Sequence, residues 1–407
     1  MLRFKQYLAE AKEGKNLHLE HLEDEVLNNG VEGTRAAINF LQSLRDMLAG
    51  NSKSSVNVTV KWDGAPAIFA GINPENDKFF VGTKGVFNVS PKVNYTNADI
   101  DANHSSAGLN AKLKVALKYL SKLGIKNVLQ GDMLFTKEDL KTEKIDGKSY
   151  TTFQPNTILY AVPTDSSAKI LKAKMGIVWH TTYTGKKLED MKASFGASVS
   201  SLTKTSDVWF SDANYEDKSG TINFNKSETD NITSVLSKAG RTFQTLDSGF
   251  MKNLLSKKDI LLLIKTYSNV KVRAGEEITN TSKHVDDIIE YVNVKIQKDV
   301  DKVKTQSSKD KKTKYKEEIM KYLLVNKSQL KKIFDMQNLL IQSKTLVIRK
   351  LEKAKGAMGT FIRTDNGFRV TAPEGFVAID NSGKAVKLVD RLEFSRANFT
   401  AAKAWDK

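Results

Sequence analysis

The spacing of apolar positions changes several times along the chain, and each change predicts an element. Residues 2–10 (LRFKQYLAE) read as a short amphipathic helix, Gly14 interrupts it, and an acidic helix is predicted over about 19–29. Gly30 and Gly33 punctuate the run. Ala36, Ile38, Phe40, Leu41, Leu44 and Leu48 then recur at helical spacing up to Gly50, so the first fifty residues read as helical. At Ser55 the period shortens to two. VNVTVKW alternates apolar and polar residues with β-branched side chains, the mark of a strand. AIFAGI and KFFVGT continue as strands across an Asn-Pro-Glu-Asn-Asp turn. Residues 108–124 return to helix, and strands resume at NVLQGDMLF, NTILYAV and KMGIVWHTTY.

From about residue 187 the pattern loosens. The stretch 196–230, rich in Ser, Thr, Asp and Asn, reads as loop, and lysine-rich helical sequence follows from about 231 to 355. Within it, 299–316 (DVDKVKTQSSKDKKTKYK) has almost no apolar content and predicts an exposed connector. A helical stripe returns through Ile319, Leu323, Leu330, Ile333, Phe334, Leu340 and Leu351. After Gly356 the strands FIRT, FRVTAPEGFVAI and AVKLV are separated by turns at Asp365-Asn366-Gly367 and Asn381-Ser382-Gly383. No repeat of fixed period is visible. The expected fold class is α+β: an N-terminal helical segment (1–50), a mostly antiparallel strand-rich core (51–190), a loop-rich then basic helical insertion (191–355), and last strands (356–407) that pair with the earlier ones.

Composition narrows the classes. At ~150 residues per domain, 407 residues suit about two domains. The longest aliphatic run is Ile260 to Ile264, against ~18 residues for a membrane span, so no membrane association is expected. No secretory signal is read at the start of the chain. There is no cysteine, which excludes disulfide scaffolds, thiolate metal sites and a cysteine nucleophile. Lys and Arg number 64 against 47 Asp and Glu, a net charge of +17. Residues 251–355 hold 25 of the basic and 13 of the acidic residues, so a quarter of the chain carries most of the excess. A concentrated basic face favours polyanions such as nucleic acid or nucleotide phosphates.

The candidate chemistry starts at Lys61-Trp62-Asp63-Gly64, at the end of a predicted strand. Taken alone it reads equally as a strand followed by an Asp-Gly turn. A lysine becomes a nucleophile when burial or neighbouring cations favour its neutral amine. Four further groups follow in order: Gly82-Thr83-Lys84-Gly85, Gly131-Asp132-Met133-Leu134-Phe135, Glu374-Gly375-Phe376-Val377 and Lys384-Ala385-Val386-Lys387-Leu388.

This ordered set resembles the covalent nucleotidyltransferase superfamily of ATP-dependent DNA ligases, RNA ligases and mRNA capping enzymes. Its members carry a K-x-D-G nucleophile motif, a basic-Gly motif, G-E-hydrophobic, E-G-hydrophobic-V and a lysine-containing strand. The resemblance covers about 55–185 and 356–392. It implies that Lys61 attacks the α-phosphorus of ATP and forms a lysyl-AMP intermediate. It implies that Glu374 binds Mg²⁺ or Mn²⁺, that Lys387 or Lys384 holds the α-phosphate, and that Asp63, Gly64, Lys84 and Asp132 line the nucleotide site. Asp132 stands where the family has the longer Glu, and Pro66 where DNA ligases tend to have Arg. About twenty residues follow the last motif, too few for a C-terminal OB domain, which points toward a phage-type RNA ligase. The implied function is ATP-dependent joining of 5′-phosphate and 3′-hydroxyl polynucleotide ends, RNA in preference to DNA, with the insertion as a phosphate-binding clamp. Two alternatives stand beside it: the same fold with another acceptor (a capped RNA end, a protein or a small molecule), and a catalytically inactive nucleic-acid-binding virion module.

Other residues weigh less. Phe153 and Trp179 read as core, with stacking on a purine as the alternative. His18, His21 and Glu25 read as part of an acidic face or a partner for the basic insertion, with metal binding as the alternative. Arg35 reads as a phosphate contact at a helix start or a surface ion pair. Leu8-Ala9-Glu10 is similar to the cleavage signal of phage prohead proteases, although a plain helix reads as well. The expected location is the cytoplasm, that of a phage host, with packaging in a virion as the alternative.

Overall fold

The computed structural model describes residues 21–50, 57–213, 223–352, 358–364, 367–370, 375–379 and 385–392. The strands are β1 (Asn57–Lys61), β2 (Ala67–Ile72), β3 (Phe79–Gly82), β4 (Val128–Thr136), β5 (Lys141–Ile145), β6 (Lys148–Phe153), β7 (Leu159–Pro163), β8 (Met175–Thr184), β9 (Lys192–Phe195), β10 (Val208–Asp212), β11 (Gly359–Thr364), β12 (Gly367–Val370), β13 (Gly375–Ile379) and β14 (Ala385–Leu388). The helices are α1 (Glu25–Leu48), α2 (Asn97–Asn103), α3 (Ala107–Leu120), α4 (Ala168–Lys172), α5 (Lys226–Gln244), α6 (Ser248–Ser256), α7 (Lys258–Ala274), α8 (Thr281–Asp301), α9 (Gln306–Val325) and α10 (Lys327–Leu351).

The strands form three sheets. The first has the order β1-β13-β14, the second β10-β8-β4-β2-β3 with β9 on β8, and the third β12-β11-β7-β6-β5. The last strands of the chain do pair with the early ones: β13 lies antiparallel on β1, and β11 on β7. The pairing is antiparallel except between β8 and β10, which run parallel. Ile68, Ala70, Met133, Ile177 and Trp179 turn one face of the second sheet onto α3, through Leu113, Ala116 and Leu120. Leu134, Phe135 and Val178 turn the other face toward Phe153, Tyr160 and Val162 of the third sheet.

The N-terminal helix and the helices of the insertion make one body. α1 packs against α5, α6 and α10, so the N-terminal helix and the basic insertion share a core. Val58, Val60, Phe376, Val386 and Leu388 join that core from one face of the first sheet. Burying this sheet face is what ties the two parts together, at ~25 cal/mol per Å² of apolar surface removed from water.

Two segments differ from the sequence expectation. Residues 299–316 are not a connector: α8 runs to Asp301 and α9 starts at Gln306. This polar helix is held by its neighbour, with Lys312 Nζ donating to the Asp299 carbonyl and Lys316 Nζ to Gln297 Oε1, at 2.9 and 2.7 Å. Hydrogen bonds and long lysine stems supply the support that an apolar stripe usually gives. Within 191–230, read as loop and insertion, β9 and β10 extend the second sheet. Val208-Trp209-Phe210 is too short an apolar run to stand out by periodicity. The expected helix over 2–10 lies outside the described residues, as do the cleavage-like Leu8-Ala9-Glu10 and His18. Among the described residues, no helix is long and apolar enough to cross a membrane.

Candidate active site

β1 ends at Lys61, and the four residues after it are held by all three sheets. On its own sheet, Lys61 pairs in register with Gly375 of β13. Lys387 of β14 pairs with Val377, which pairs with Thr59, two residues before Lys61. Residues two apart in a strand, and partners across a ladder, share a sheet face. Lys61 and Lys387 therefore share one face, two strands apart or about 10 Å laterally at ordinary strand spacing. The opposite face is the one packed on the helices.

The second sheet reaches this segment through the backbone. Val60 N–H donates to the Ala213 carbonyl at 2.8 Å, and Ala213 N–H to the Trp179 carbonyl at 3.0 Å. Ala65 N–H donates to the Met133 carbonyl at 2.8 Å. Gly64 lies against Asp132 so closely that a Cβ on it would stand 2.5 Å from the Asp132 Cβ. The third sheet reaches it through Asp63. The Asp63 carboxylate is 3% exposed and accepts from Asn156 Nδ2 at 2.8 Å and from the Thr157 and Ile158 amides at 2.7 Å each. Its own N–H donates to the Tyr160 hydroxyl at 2.8 Å. Asp63 is thus a strut between sheets.

Asp132 pairs with Ala67 on one side and Val178 on the other, and its carboxylate stands 3.7 Å from His180 Nε2. Both side chains keep about a quarter of their surface in solvent, at 22% and 28%. The His180 Nδ1 stands 2.8 Å from Thr181 Oγ1. Lys84 is exposed and opens a turn of 3₁₀ helix just past β3. The registers Phe69 with Gly82 and Ala67 with Asp132 set it level with Asp132, on the far side of β2. The fold thus brings Lys61, Asp63, Gly64 and Asp132 together, puts Lys387 on the Lys61 face, and leaves Lys84 at the sheet edge. Glu374 and Lys384 lie outside the described residues.

Phe153 and Trp179 are core residues. Phe153 stacks on Tyr160, with centroids 5.4 Å apart, and Trp179 is fully buried against the α3 side. Arg35 lies in α1 about one turn past the kink at Gly30, whose φ is +58°, with its guanidinium 5.8 Å from the Phe243 ring centroid. Among the described residues, no three His, Asp or Glu side chains are placed to hold one metal ion. The acidic N-terminal cluster does meet the basic insertion: Glu23 and Lys344 of α10 form an ion pair at 2.7 Å, each 2% exposed.

The sequence reading missed Asn156 and Tyr160 as the partners of Asp63, and Arg391 near Lys387. Asn156 follows a Gln-Pro pair and reads only as a turn, and no local pattern marks Arg391. No local pattern joins His180 to Asp132, which lies 48 residues away in sequence and is brought beside it by the β4–β8 pairing.

A family model described as a family of unknown function, DUF6267, matches residues 16–403. The chain belongs to that family. The match spans the N-terminal helix, the three sheets and the basic helices alike, so the insertion is part of what the family shares. No curated protein and no solved structure matches the chain.

Proposed function

We propose that this chain is an ATP-dependent nucleotidyltransferase that carries AMP on Lys61 and joins polynucleotide ends, RNA in preference to DNA. One observation carries the reading. Lys61 ends a strand at the meeting point of three sheets, with Lys387 on the same sheet face and Asp132 against the adjoining Gly64. The motifs come from segments more than three hundred residues apart, and the β1-β13-β14 sheet unites the first with the last two.

In this reading the neutral Lys61 Nζ attacks the α-phosphorus of ATP. A P–N bond forms, the bond from the α-phosphorus to the bridging oxygen breaks, and pyrophosphate leaves with the electron pair. The surplus proton on nitrogen passes to solvent. AMP then moves to a 5′-phosphate, and a 3′-hydroxyl displaces it. Lys387 balances charge on the α-phosphate, as an ammonium does at a developing phosphoryl charge. Magnesium receives no ligand here, because Glu374 is outside the described residues and those described offer no three-residue set. The basic helices would grip the strand. Lys302, Lys304, Lys311 and Lys314 are exposed around the start of α9, where they can reach phosphates.

The test uses RNA with a 5′-phosphate and a 3′-hydroxyl, single-stranded or at a nick, with ATP and magnesium. The reading expects a joined or 5′-adenylylated strand. Binding should weaken as salt rises, with the log–log slope reduced by ~1 for each phosphate-contacting lysine removed. Neither product from any polynucleotide would overturn the ligase assignment.

A further inference from the structure

The basic helices carry an aromatic surface that lies outside the motif-bearing segments. Over residues 302–316 seven lysines stand against one acid, Asp310, whose carboxylate accepts from Gln306 Nε2 at 2.8 Å. Within this run is Tyr315, 40% exposed. α9 docks on α8 through a neighbouring face, where Lys312 and Lys316 lie one turn apart and reach Asp299 and Gln297. Lys311 and Tyr315, also one turn apart, lie about 100° round the helix from that pair. Tyr315 reaches the start of α7, where its hydroxyl donates to Asp259 Oδ2 at 2.5 Å.

The ring is thus anchored at both ends, by its own backbone and by Asp259. Burial, and after it the Asp259 carboxylate, hold the phenol proton well above the ordinary tyrosine range, so the ring stays neutral beside anions. Around it stand exposed cations from two helices, Lys311 and Lys314 of α9 and Lys258 of α7. Leu262, one turn after Asp259, is 43% exposed. Tyr322, two turns further along α9, is different. Its ring stacks on Phe250 with centroids 6.2 Å apart and carries Lys257 Nζ at 5.1 Å. Tyr322 supports the packing of the helices, whereas Tyr315 presents its ring to solvent.

A fixed, neutral, open ring among exposed cations matches a ligand with a base that stacks and phosphates that pair. A duplex offers its phosphates but keeps its base faces covered by neighbouring pairs. An unpaired strand offers both. We propose that Tyr315 is a stacking platform for one base of a single-stranded polynucleotide, with the adjoining phosphates held by Lys311, Lys314 and Lys258. The assignment deepens the polynucleotide reading of the basic helices and rests on it for the partner class. The lysines supply the salt-dependent part of the grip. The ring supplies the part that tells an unpaired strand from a duplex, and its anchoring lowers the ordering cost of binding.

The test is fluorescence anisotropy of the full chain with a labelled RNA of mixed sequence, single-stranded or annealed to its complement. Nucleotide and magnesium are left out, so that no joining can occur. Wild type is compared with Tyr315→Ala, Tyr315→Phe and Lys311→Ala, and urea midpoints identify the folded variants. Tyr315→Leu takes the place of the alanine variant should that one fail to fold. The expected result is tighter binding of the single strand, weakened about tenfold by loss of the ring at unchanged salt slope, the scale of one stacked base. Tyr315→Phe, which loses the Asp259 bond but keeps the ring, should stay within about threefold of wild type. Lys311→Ala should instead reduce the log–log salt slope by ~1. Equal affinity for single strand and duplex, no binding of either, or a folded ring-free variant that binds as wild type does would overturn the platform. Two outcomes separate it from the nucleotidyltransferase reading. Label on Lys61 with single-strand binding indifferent to Tyr315 sinks the platform alone. Tyr315-dependent binding without label on Lys61 keeps the platform and sinks nucleotidyl transfer.

Discussion

Asp63 is the residue on which the three sheets most depend. Its carboxylate satisfies three donors in a buried place, two of them backbone amides. Removing the acceptor strands all three, and an unsatisfied buried donor costs about 1–3 kcal/mol. Asp63→Ala should therefore lower unfolding stability by about 3 kcal/mol, read from the urea midpoint at unchanged slope. A loss below about 1 kcal/mol would mean that water replaces the carboxylate. His284 makes a second prediction at this scale. It is 4% exposed, meets the Phe334 ring edge-on at 4.5 Å, and is pushed down to about 4 by burial first and by Lys271 second. The unfolded chain takes up this proton near pH 6.5, the folded one only near 4. Stability is therefore complete above about pH 6.5 and falls by about 3 kcal/mol as pH drops from 6.5 to 4. Replacing His284 by Phe should flatten that part of the stability–pH curve, and an unchanged slope would assign the loss elsewhere. His21, also held far below the ordinary histidine range, contributes in the same sense from about pH 6.5 downward, so replacing His284 removes only its own share of the slope.

Among the elements, β14 is the one whose placement decides the site, since it carries Lys387. Its neighbour Gly375 has φ +143°, and a Cβ there would stand 2.5 Å from the Leu388 carbonyl oxygen. Only glycine lets β13 begin at this point while β14 lies flush against it. Gly375→Ala should push the end of β14 outward, cost about 1–3 kcal/mol, and reduce any Lys61-dependent nucleotide transfer more than it reduces stability. Comparing the fraction folded with the rate of transfer checks this, and parallel loss of both would contradict it. The elements also show where the sequence was readable. β1, β2, β4 and β8 were legible because alternation and β-branched residues leave a period of two. α9 was not, since Lys309 to Lys316 carry no apolar stripe and their helix is set by α8 alongside. β10 was hidden inside a polar stretch and is fixed by parallel pairing to β8, a contact no local pattern encodes.

At the scale of the whole molecule, the helices are not an appendage. α1 and α5–α10 share one core with the back of the β1-β13-β14 sheet, so the basic helices and the sheet that carries Lys61 are parts of one construction. The order of motifs along the chain was enough to expect that the far ends meet. It was not enough to place the amino-terminal strap on β14, because that contact joins residues 21 and 387 through a single bridge and ion pairs to Lys344 and Arg391. Nor did it reveal that Asp63 is spent on the third sheet, since its partners at 156–158 read only as a turn. The candidate site was therefore legible in its cations and hidden in its supports.

The account turns on Lys61 as a nucleophile. The measurement that tests it most directly mixes purified full-length protein, first treated with pyrophosphate to strip any carried nucleotide, with α-labelled ATP or GTP and magnesium. Wild type is run beside Lys61→Ala on a denaturing gel. The account predicts acid-labile label on wild type, absent from Lys61→Ala, with ATP preferred. No label with either nucleotide, or equal label on the variant, would contradict it.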